Sequence, residues 1–372
     1  MAAGFPKITD EALSELRSWI GKEVRAPAPW LEEASKDGIR HYAQGIGDKN
    51  PLSLDEEYAA QSRFGTLVAP PTILFAFDRI VSGYVGGLPG VHAMYAGTHF
   101  HFRRPVLRND ALAATSTLKD LVEHPSQFSG RAIQQIYTTR FHNQRGEEVC
   151  EADSWCFRTQ RDEARERRKY GRIEPHHYTA EELEHIWADY DQEQIRGAAP
   201  RYWEDVSVGE SLPHVVKGPL TATGVIAYAQ GWGGLYIRAH GFARDLFRRH
   251  PALGIPNLQN VPEPPERVHW DVDFAQTVGV PYAYDYGPER VSWLGHLMTN
   301  WMGDDGFLKE LKVEVRRFNI LGDTHWCRGK VSDKAVSPTG EGLVTCDIWA
   351  EDQRGEVTAR GMAVAVLPRR KP

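Results

Sequence analysis

The 372-residue chain is poor in cysteine: Cys150, Cys156, Cys327 and Cys346 are its only four, and none are in CxxC spacing. That excludes a disulfide framework and a zinc ribbon, and it predicts buried thiols in a reducing compartment. No uninterrupted apolar stretch approaches 18 residues, so no membrane-spanning helix is expected. Positive charge is not in excess: the net charge is -6 and the pI about 6.2, which argues against a nucleic-acid partner. The opening Met1–Lys7 lacks the basic-then-apolar layout of a secretory leader. These absences predict a soluble cytoplasmic protein with neither membrane nor nucleic acid as partner.

What is present is repetition. Tyr42-Ala43-Gln44-Gly45 returns as Tyr228-Ala229-Gln230-Gly231, an offset of 186. Arg103-Arg104 with Asp110 returns as Arg316-Arg317 with Asp323, offset 213, and Gln144-Arg145-Gly146-Glu147 returns as Gln353-Arg354-Gly355-Glu356, offset 209. An ordered series of matches at a period near 200 residues implies a duplicated domain, not a solenoid. Each copy is then long enough for its own core.

Apolar spacing predicts helices over 10–22, from 37 toward 47, and over 180–196, the last opened by the capping-box spacing Thr179-Ala180-Glu181-Glu182. Thr98-His99-Phe100-His101-Phe102 alternates as a half-buried strand does, and further strands fit 111–122, 131–142 and 148–158. In the second copy, strands fit 311–318, 324–333, 342–351 and 357–367. Helix first, then antiparallel strands joined by hairpins, is an α+β pattern. The domains expected are 1–165, a linker with a helix over 166–200, and 201–372. The charge run Arg161–Lys169 reads as solvated linker. The offset rises to 216 by Ala275, so the second copy carries an insertion, taken as 232–262, whose aromatic residues Trp232, Tyr236, Phe242 and Phe247 suit either a bulky substrate tail or a small core of its own.

Gly47-Asp48-Lys49-Asn50-Pro51-Leu52-Ser53-Leu54-Asp55, followed by Ala59 and Gly65, resembles the signature loop of the MaoC-like, (R)-specific enoyl-CoA hydratases and dehydratases, roughly GDxNPxHxDxxxA. The resemblance extends to the late Gly322-Asp323-Thr324. It implies two tandem hot-dog domains, each a central helix wrapped by an antiparallel sheet, docked as a pseudo-dimer. It also implies reversible hydration of a 2-enoyl-CoA, or dehydration of a 3-hydroxyacyl-CoA, with no cofactor and no metal. The family's Asp and Asn fall on Asp48 and Asn50, but Ser53 stands at its His. At offset 216, Ser53 maps to His269, Asp48 to Pro264 and Asn50 to Glu266. The acid is kept in one copy and the imidazole in the other.

Hydration needs a base at C3, an acid at C2 and a donor for the thioester oxygen. The resemblance places a backbone N–H donor in an Ala-His-Gly type segment. Its first-copy equivalent, Ala69-Pro70-Pro71, is proline-rich, and proline has no N–H. The second-copy equivalent, Ala283-Tyr284-Asp285-Tyr286-Gly287, keeps a glycine. The candidate catalytic groups are therefore His269, Gly287 and Glu266, with Asp48 and Asn50 if the first copy works. Tyr284, Asp285, Tyr286 and Arg316 are candidate substrate contacts.

Several features have plainer readings. Gly47–Pro51 is also a good turn, and His269 could be structural beside Asp271. Arg103, Arg104, Arg316 and Arg317 suit CoA phosphates or, more simply, surface ion pairs. His99 and His101 share a strand face, but a third and fourth metal ligand are not evident. Rival functions are an acyl-CoA thioesterase and a non-catalytic acyl-CoA-binding subunit that completes its site with a partner hot-dog chain. A homodimer is a further possible assembly.

Overall fold

The structure, a computed structural model, describes residues 7–126, 130–159 and 174–370; the charge run 161–169, the start of the expected linker and residues 1–6 lie outside the described residues. The first copy runs α1 (Asp10–Arg17), α2 (Lys36–Ile46), α3 (Pro51–Leu54), α4 (Glu56–Gln61), a 3-10 helix (Pro71–Ala76), then β1 (His92–Phe102), β2 (Leu112–Ser126), β3 (Gly130–Asn143) and β4 (Glu148–Thr159). Helix α5 (Ala180–Asp191) precedes the second copy, and both halves of its Thr179–Glu182 capping box are formed. The second copy runs β5 (Ser211–Lys217), α6 (Ala222–Trp232), α7 (His240–Arg249), the small strands β6 (Ile255–Pro256) and β7 (Pro262–Glu263), α8 (Val272–Thr277), α9 (Gly287–Met302), β8 (Phe307–Val315), β9 (His325–Val336), β10 (Gly342–Asp352) and β11 (Val357–Leu367).

Among the described residues, nine strands form one antiparallel sheet in the order β2-β3-β4-β1-β8-β11-β10-β9-β5. The seam between copies is β1 against β8, with Gly97 opposite Glu314 and His101 opposite Glu310. The two copies therefore share one sheet, and they share one core too. A single cluster joins Phe75, Phe100 and Phe141 of the first copy to Trp232, Leu294, Trp301 and Val344 of the second. Each such side chain, buried fully, contributes about 1.5–3 kcal/mol. A second cluster seats Leu13 and Leu16 of α1 against Leu118, Ile133 and Tyr137. Two hot-dog units docked as a pseudo-dimer is the architecture shown. All four cysteines are buried and unpaired. No helix among the described residues is long and apolar enough to cross a membrane.

The copies differ in what the sheet wraps. In the second it is the 16-residue α9, whose residues are nearly all buried. In the first it is a six-residue 3-10 helix. Local side-chain bonds explain the break. Ser82 Oγ donates to Phe75 O (2.5 Å) and Asp78 O (2.8 Å), and Val81 N–H donates to Asp78 Oδ1 (2.9 Å). Short polar side chains that serve the backbone in this way compete with helical bonding.

The repeated Tyr-Ala-Gln-Gly segments are where the copies touch most closely. A Cβ on Gly45 would lie 3.0 Å from Ala227 O and 3.1 Å from Tyr228 Cα. A Cβ on Gly231 would lie 2.9 Å from His41 O and 3.0 Å from Tyr42 Cα. Helices α2 and α6 thus cross backbone to backbone, each glycine receiving the other's tyrosine residue. The two tyrosine rings meet edge-on at 6.5 Å. Gly231→Ala is expected to destabilise the chain by about 1–3 kcal/mol through overpacking, read as a lower urea midpoint. Gly241→Ala, on α7 where a Cβ meets nothing within 4 Å, is the control and is expected to leave the midpoint unchanged or slightly raised. Equal midpoints for the two variants would show that the crossing is not tight.

Candidate active site

A cavity of about 750 Å³ lies between the copies. The second copy lines it with Glu266, His269, Tyr284, Asp285, Tyr286, Gly287 and Arg316. The first copy lines it with Tyr95, Trp155 and Phe157. Every second-copy candidate from the sequence therefore borders one space. Asp48 and Asn50 do not; with Ser53 they line a separate pocket of about 60 Å³.

His269 ends a short 3-10 helix, Pro265–His269. Its Nδ1 lies 2.8 Å from Tyr284 O, so that nitrogen donates and Nε2 is left as the acceptor. The rings of Tyr286 and Tyr284 bracket the imidazole, at 3.9 and 4.7 Å between centroids. Burial pushes the imidazole down to about 4, against which the Tyr284 and Asp285 backbone bonds pull upward. His269 is thus neutral at ordinary pH.

Gly287 is the first residue of α9, whose N-cap Tyr286 supplies no side-chain cap. Its N–H belongs to the helical turn that has no intrahelical acceptor. A Cβ there would meet Tyr95 Cδ1 of the first copy at 2.3 Å, so glycine is required for the two copies to close on this edge.

Glu266 is buried, and burial raises its carboxyl while backbone donors oppose the rise. Oε1 accepts from Leu235 N–H (2.7 Å) and Oε2 from Tyr236 N–H, with Tyr286 Oη 3.4 Å from Oε1. These bonds clamp the root of the insertion, and Trp232 and Leu235 there form part of the cavity wall. The outer part of the insertion is different: Phe242 is 79% and Leu258 88% exposed. Phe247 sits against Gly254.

The duplication supplies an internal control. Ser53 Oγ donates to Val68 O at 2.6 Å, and at offset 216 this is the bond His269 makes to Tyr284 O. Val68 bridges Leu107 as Tyr284 bridges Ile320. In this register Pro71 stands at Gly287, so the first copy lacks that N–H. Asp285 maps to Ala69, Arg290 to Leu74, and Asn319, at offset 213, to Val106. All three first-copy residues are buried and apolar.

In the second copy these three positions form a buried polar triad. Asp285 Oδ2 lies 2.8 Å from Arg290 Nε, although that N–H is not aimed along the line, and it accepts from Asn319 Nδ2 at 2.9 Å. Arg290 Nη1 also donates to Arg317 O (2.6 Å) and Thr358 O (3.2 Å). Asp285 is flanked by the carbonyl that holds His269 and by the residues leading to Gly287. Desolvation pushes its carboxyl up to about 6 despite the guanidinium.

Asp48 is used otherwise. Its Oδ1 accepts Asn50 N–H (2.9 Å) and Asn50 Oδ1 accepts Leu52 N–H (3.0 Å), a pair of Asx turns. Asp48 Oδ1 also lies 3.3 Å from His296 Nε2 on α9. His296 Nδ1 is 2.8 Å from Lys217 Nζ, which reaches Ile46 O at 2.6 Å. Burial raises Asp48 to about 6. Neither His296 nor Lys217 was singled out from sequence; each stands in an apolar neighbourhood that reads as core.

The four arginines noted in the sequence make ion pairs: Arg103–Glu148 at 3.2 Å, Arg104–Glu147 at 2.7 Å, Arg316–Glu314 and Arg317–Glu356. Arg316 and Arg317 still border the cavity mouth.

Comparison with known proteins agrees with this architecture. The family model described as FAS1-like, dehydratase domain region, matches residues 18–152. A UPF0336 protein of Saccharopolyspora erythraea is 30% identical over 145 residues, covering 37% of this chain and 87% of the relative. A probable enoyl-CoA hydratase alpha subunit of Thermomonospora curvata is 26% identical over 155 residues, covering 36% of this chain and 47% of that one. A solved MaoC-like dehydratase superposes with a TM-score of 0.64 at 18% identity, over 95% of this chain and 100% of that one. The chain belongs to the family of the UPF0336 proteins, and its fold is that of the MaoC-like dehydratase.

The triad yields a test. Arg290→Leu alone strands the buried Asp285 carboxylate, an error that costs about 3–5 kcal/mol. Asp285→Ala with Arg290→Leu reproduces the first copy's apolar pair, and it is expected to recover most of that loss in urea denaturation. A double variant as unstable as the single one would show that the triad is needed to hold the fold.

Proposed function

We propose that the chain is a hydro-lyase acting on a CoA thioester, interconverting a 2-enoyl-CoA and a 3-hydroxyacyl-CoA at the second-copy cavity. The observation that carries this is the orientation of His269. Its Nδ1–H is spent on Tyr284 O, so its Nε2 lone pair is the base in a cavity that also borders a helix N-terminus. Hydration then proceeds as follows. Nε2 takes a proton from water while the water oxygen bonds to C3. The C2=C3 pair moves toward C1, and the thioester oxygen, now enolate-like, accepts the Gly287 N–H. The imidazolium returns its proton to C2. One such donor is worth about 3 kcal/mol to the barrier.

Glu266 is not needed as the acid in this scheme. Its oxygens are taken by two backbone N–H groups, so it acts as the clamp of the cavity wall. Tyr284 and Tyr286 hold the imidazole plane, and Arg316 stands at the mouth where the polar part of CoA would enter. The similarity to the Thermomonospora protein, a probable enoyl-CoA hydratase alpha subunit, supports the substrate class.

A second reading, an acyl-CoA-binding subunit, is favoured by Pro264, which stands where the family's aspartate is expected. Crotonyl-CoA decides between them. Loss of enoyl absorbance without release of thiol supports the hydro-lyase. Thiol release would mean a thioesterase, and binding without turnover a binding subunit.

His269→Ala is expected to lower kcat by about 10²–10⁴ with the urea midpoint kept close to wild type. A variant at wild-type rate would make His269 structural. The pH profile gives a separate check. An imidazole held at about 4 rather than 6.5 is protonated only below that lower value. The acid limb of kcat/KM should therefore fall near pH 4, with no inflection near 6.5. An inflection near 6.5 would place the base in a solvated setting.

A further inference from the structure

We propose that His99, His101 and Glu310 form a binding site for a divalent transition-metal ion of the zinc class, joining the two copies across the central seam of the sheet. The three side chains come from β1 of the first copy and β8 of the second, where His101 is the direct register partner of Glu310. Their ligand atoms all lie within 4.8 Å of one another. His99 Nε2 is 3.5 Å from Glu310 Oε2, and His101 Nδ1 is 3.8 Å from Glu310 Oε1.

Those separations are too long for hydrogen bonds, which fall at about 2.7–3.2 Å. They suit a shared ion instead. Two donors each about 2.1 Å from a tetrahedral zinc are about 3.4 Å apart, so small side-chain shifts would seat one. His99 Nε2 is buried without a hydrogen-bond partner. The imidazole rings are 3.9 Å apart and tilted by 45°, so both reach the same side of the sheet seam. Two imidazoles and a carboxylate select zinc, nickel or copper over magnesium or calcium.

One group opposes the ion. Lys312 is the register partner of His99, but its side chain is exposed, where solvent and salt screen it. The half-buried ligands leave the fourth position to water. The site lies outside the cavity of His269, so its expected role is to pin β1 to β8, not to take part in turnover.

The test uses the full chain without an affinity tag, stripped with EDTA and titrated with Zn²⁺ by calorimetry and with Co²⁺ by visible absorption. Wild type is expected to bind with tetrahedral cobalt bands and a Tm raised by Zn²⁺. His101→Gln and Glu310→Gln are each expected to bind at least tenfold more weakly, to lose the Zn²⁺-dependent Tm rise and to keep the metal-free Tm. The chain has 15 histidines, so the difference between wild type and variants is the reading. Zinc binding of equal affinity and stoichiometry in all three proteins, or none in wild type, would overturn the proposal.

Discussion

The crossing of α2 and α6 is the contact on which the rest of the structure depends. Gly45 and Gly231 let two backbones approach to a distance that any Cβ would obstruct, and the contact is reciprocal, as a two-fold interface demands. Fixing this crossing sets the pseudo-two-fold axis. The axis brings β1 against β8, and that pairing turns two sheets into one. With the sheet continuous, the edge of each copy's wrapped segment faces the other copy, so Tyr95 of the first can close on Gly287 of the second. The large cavity is a consequence of docking, since neither copy encloses it alone.

Within this symmetric frame the copies have diverged at the loop that borders the cavity. Tyr284 O holds an imidazole and Val68 O holds a hydroxyl. Asp285, Arg290 and Asn319 replace Ala69, Leu74 and Val106. The apolar set shows that the hot-dog unit closes without buried charge at these three positions. Desolvating an ion pair is costly, and apolar replacements of similar volume are often as stable or more so. Stability is therefore a poor reason for the second copy to carry the triad. A geometric reason is better: the triad ties the loop 284–287 to Arg317 and Thr358, and the same loop presents both the carbonyl that orients His269 and the N–H of Gly287.

Much of this was legible in the sequence. The ordered repeats predict the duplication, and the strand pattern locates seven of the sheet's strands within a few residues and an eighth, β1, which begins six residues earlier than expected. The offset of 216 carries Ser53 to His269, and the two side chains then make the same bond. What was hidden has physical causes. Helix α9 contains Glu289, Arg290, Ser292, His296 and Asn300, all buried, so it has no apolar stripe to betray it. The first copy's wrapped segment is broken by bonds from Ser82 and Asp78, residues that are unremarkable in a linear reading. Glu310 joins His99 and His101 only because β8 lies beside β1, and a pairing across copies leaves no local pattern.

His296 and His269 show why residue type alone does not assign a role to an imidazole. Asp48 has an imidazole 3.3 Å away, that of His296 on the second copy's α9, although Ser53 stands at the position of an expected histidine in its own copy. The pairing has the opposite sense, however. Lys217 gives hydrogens to Ile46 O and Gly47 O and, as an ammonium near Asp48, a third to His296 Nδ1. That nitrogen is then the acceptor and Nε2 carries the hydrogen, although it is not aimed along the 3.3 Å line to Asp48. No lone pair is left for a substrate proton. His269 has the other tautomer, because its Nδ1 faces a carbonyl and must donate. One imidazole has its acceptor nitrogen taken up by Lys217 and the other keeps Nε2 as an acceptor, and the atom opposite Nδ1 makes the difference.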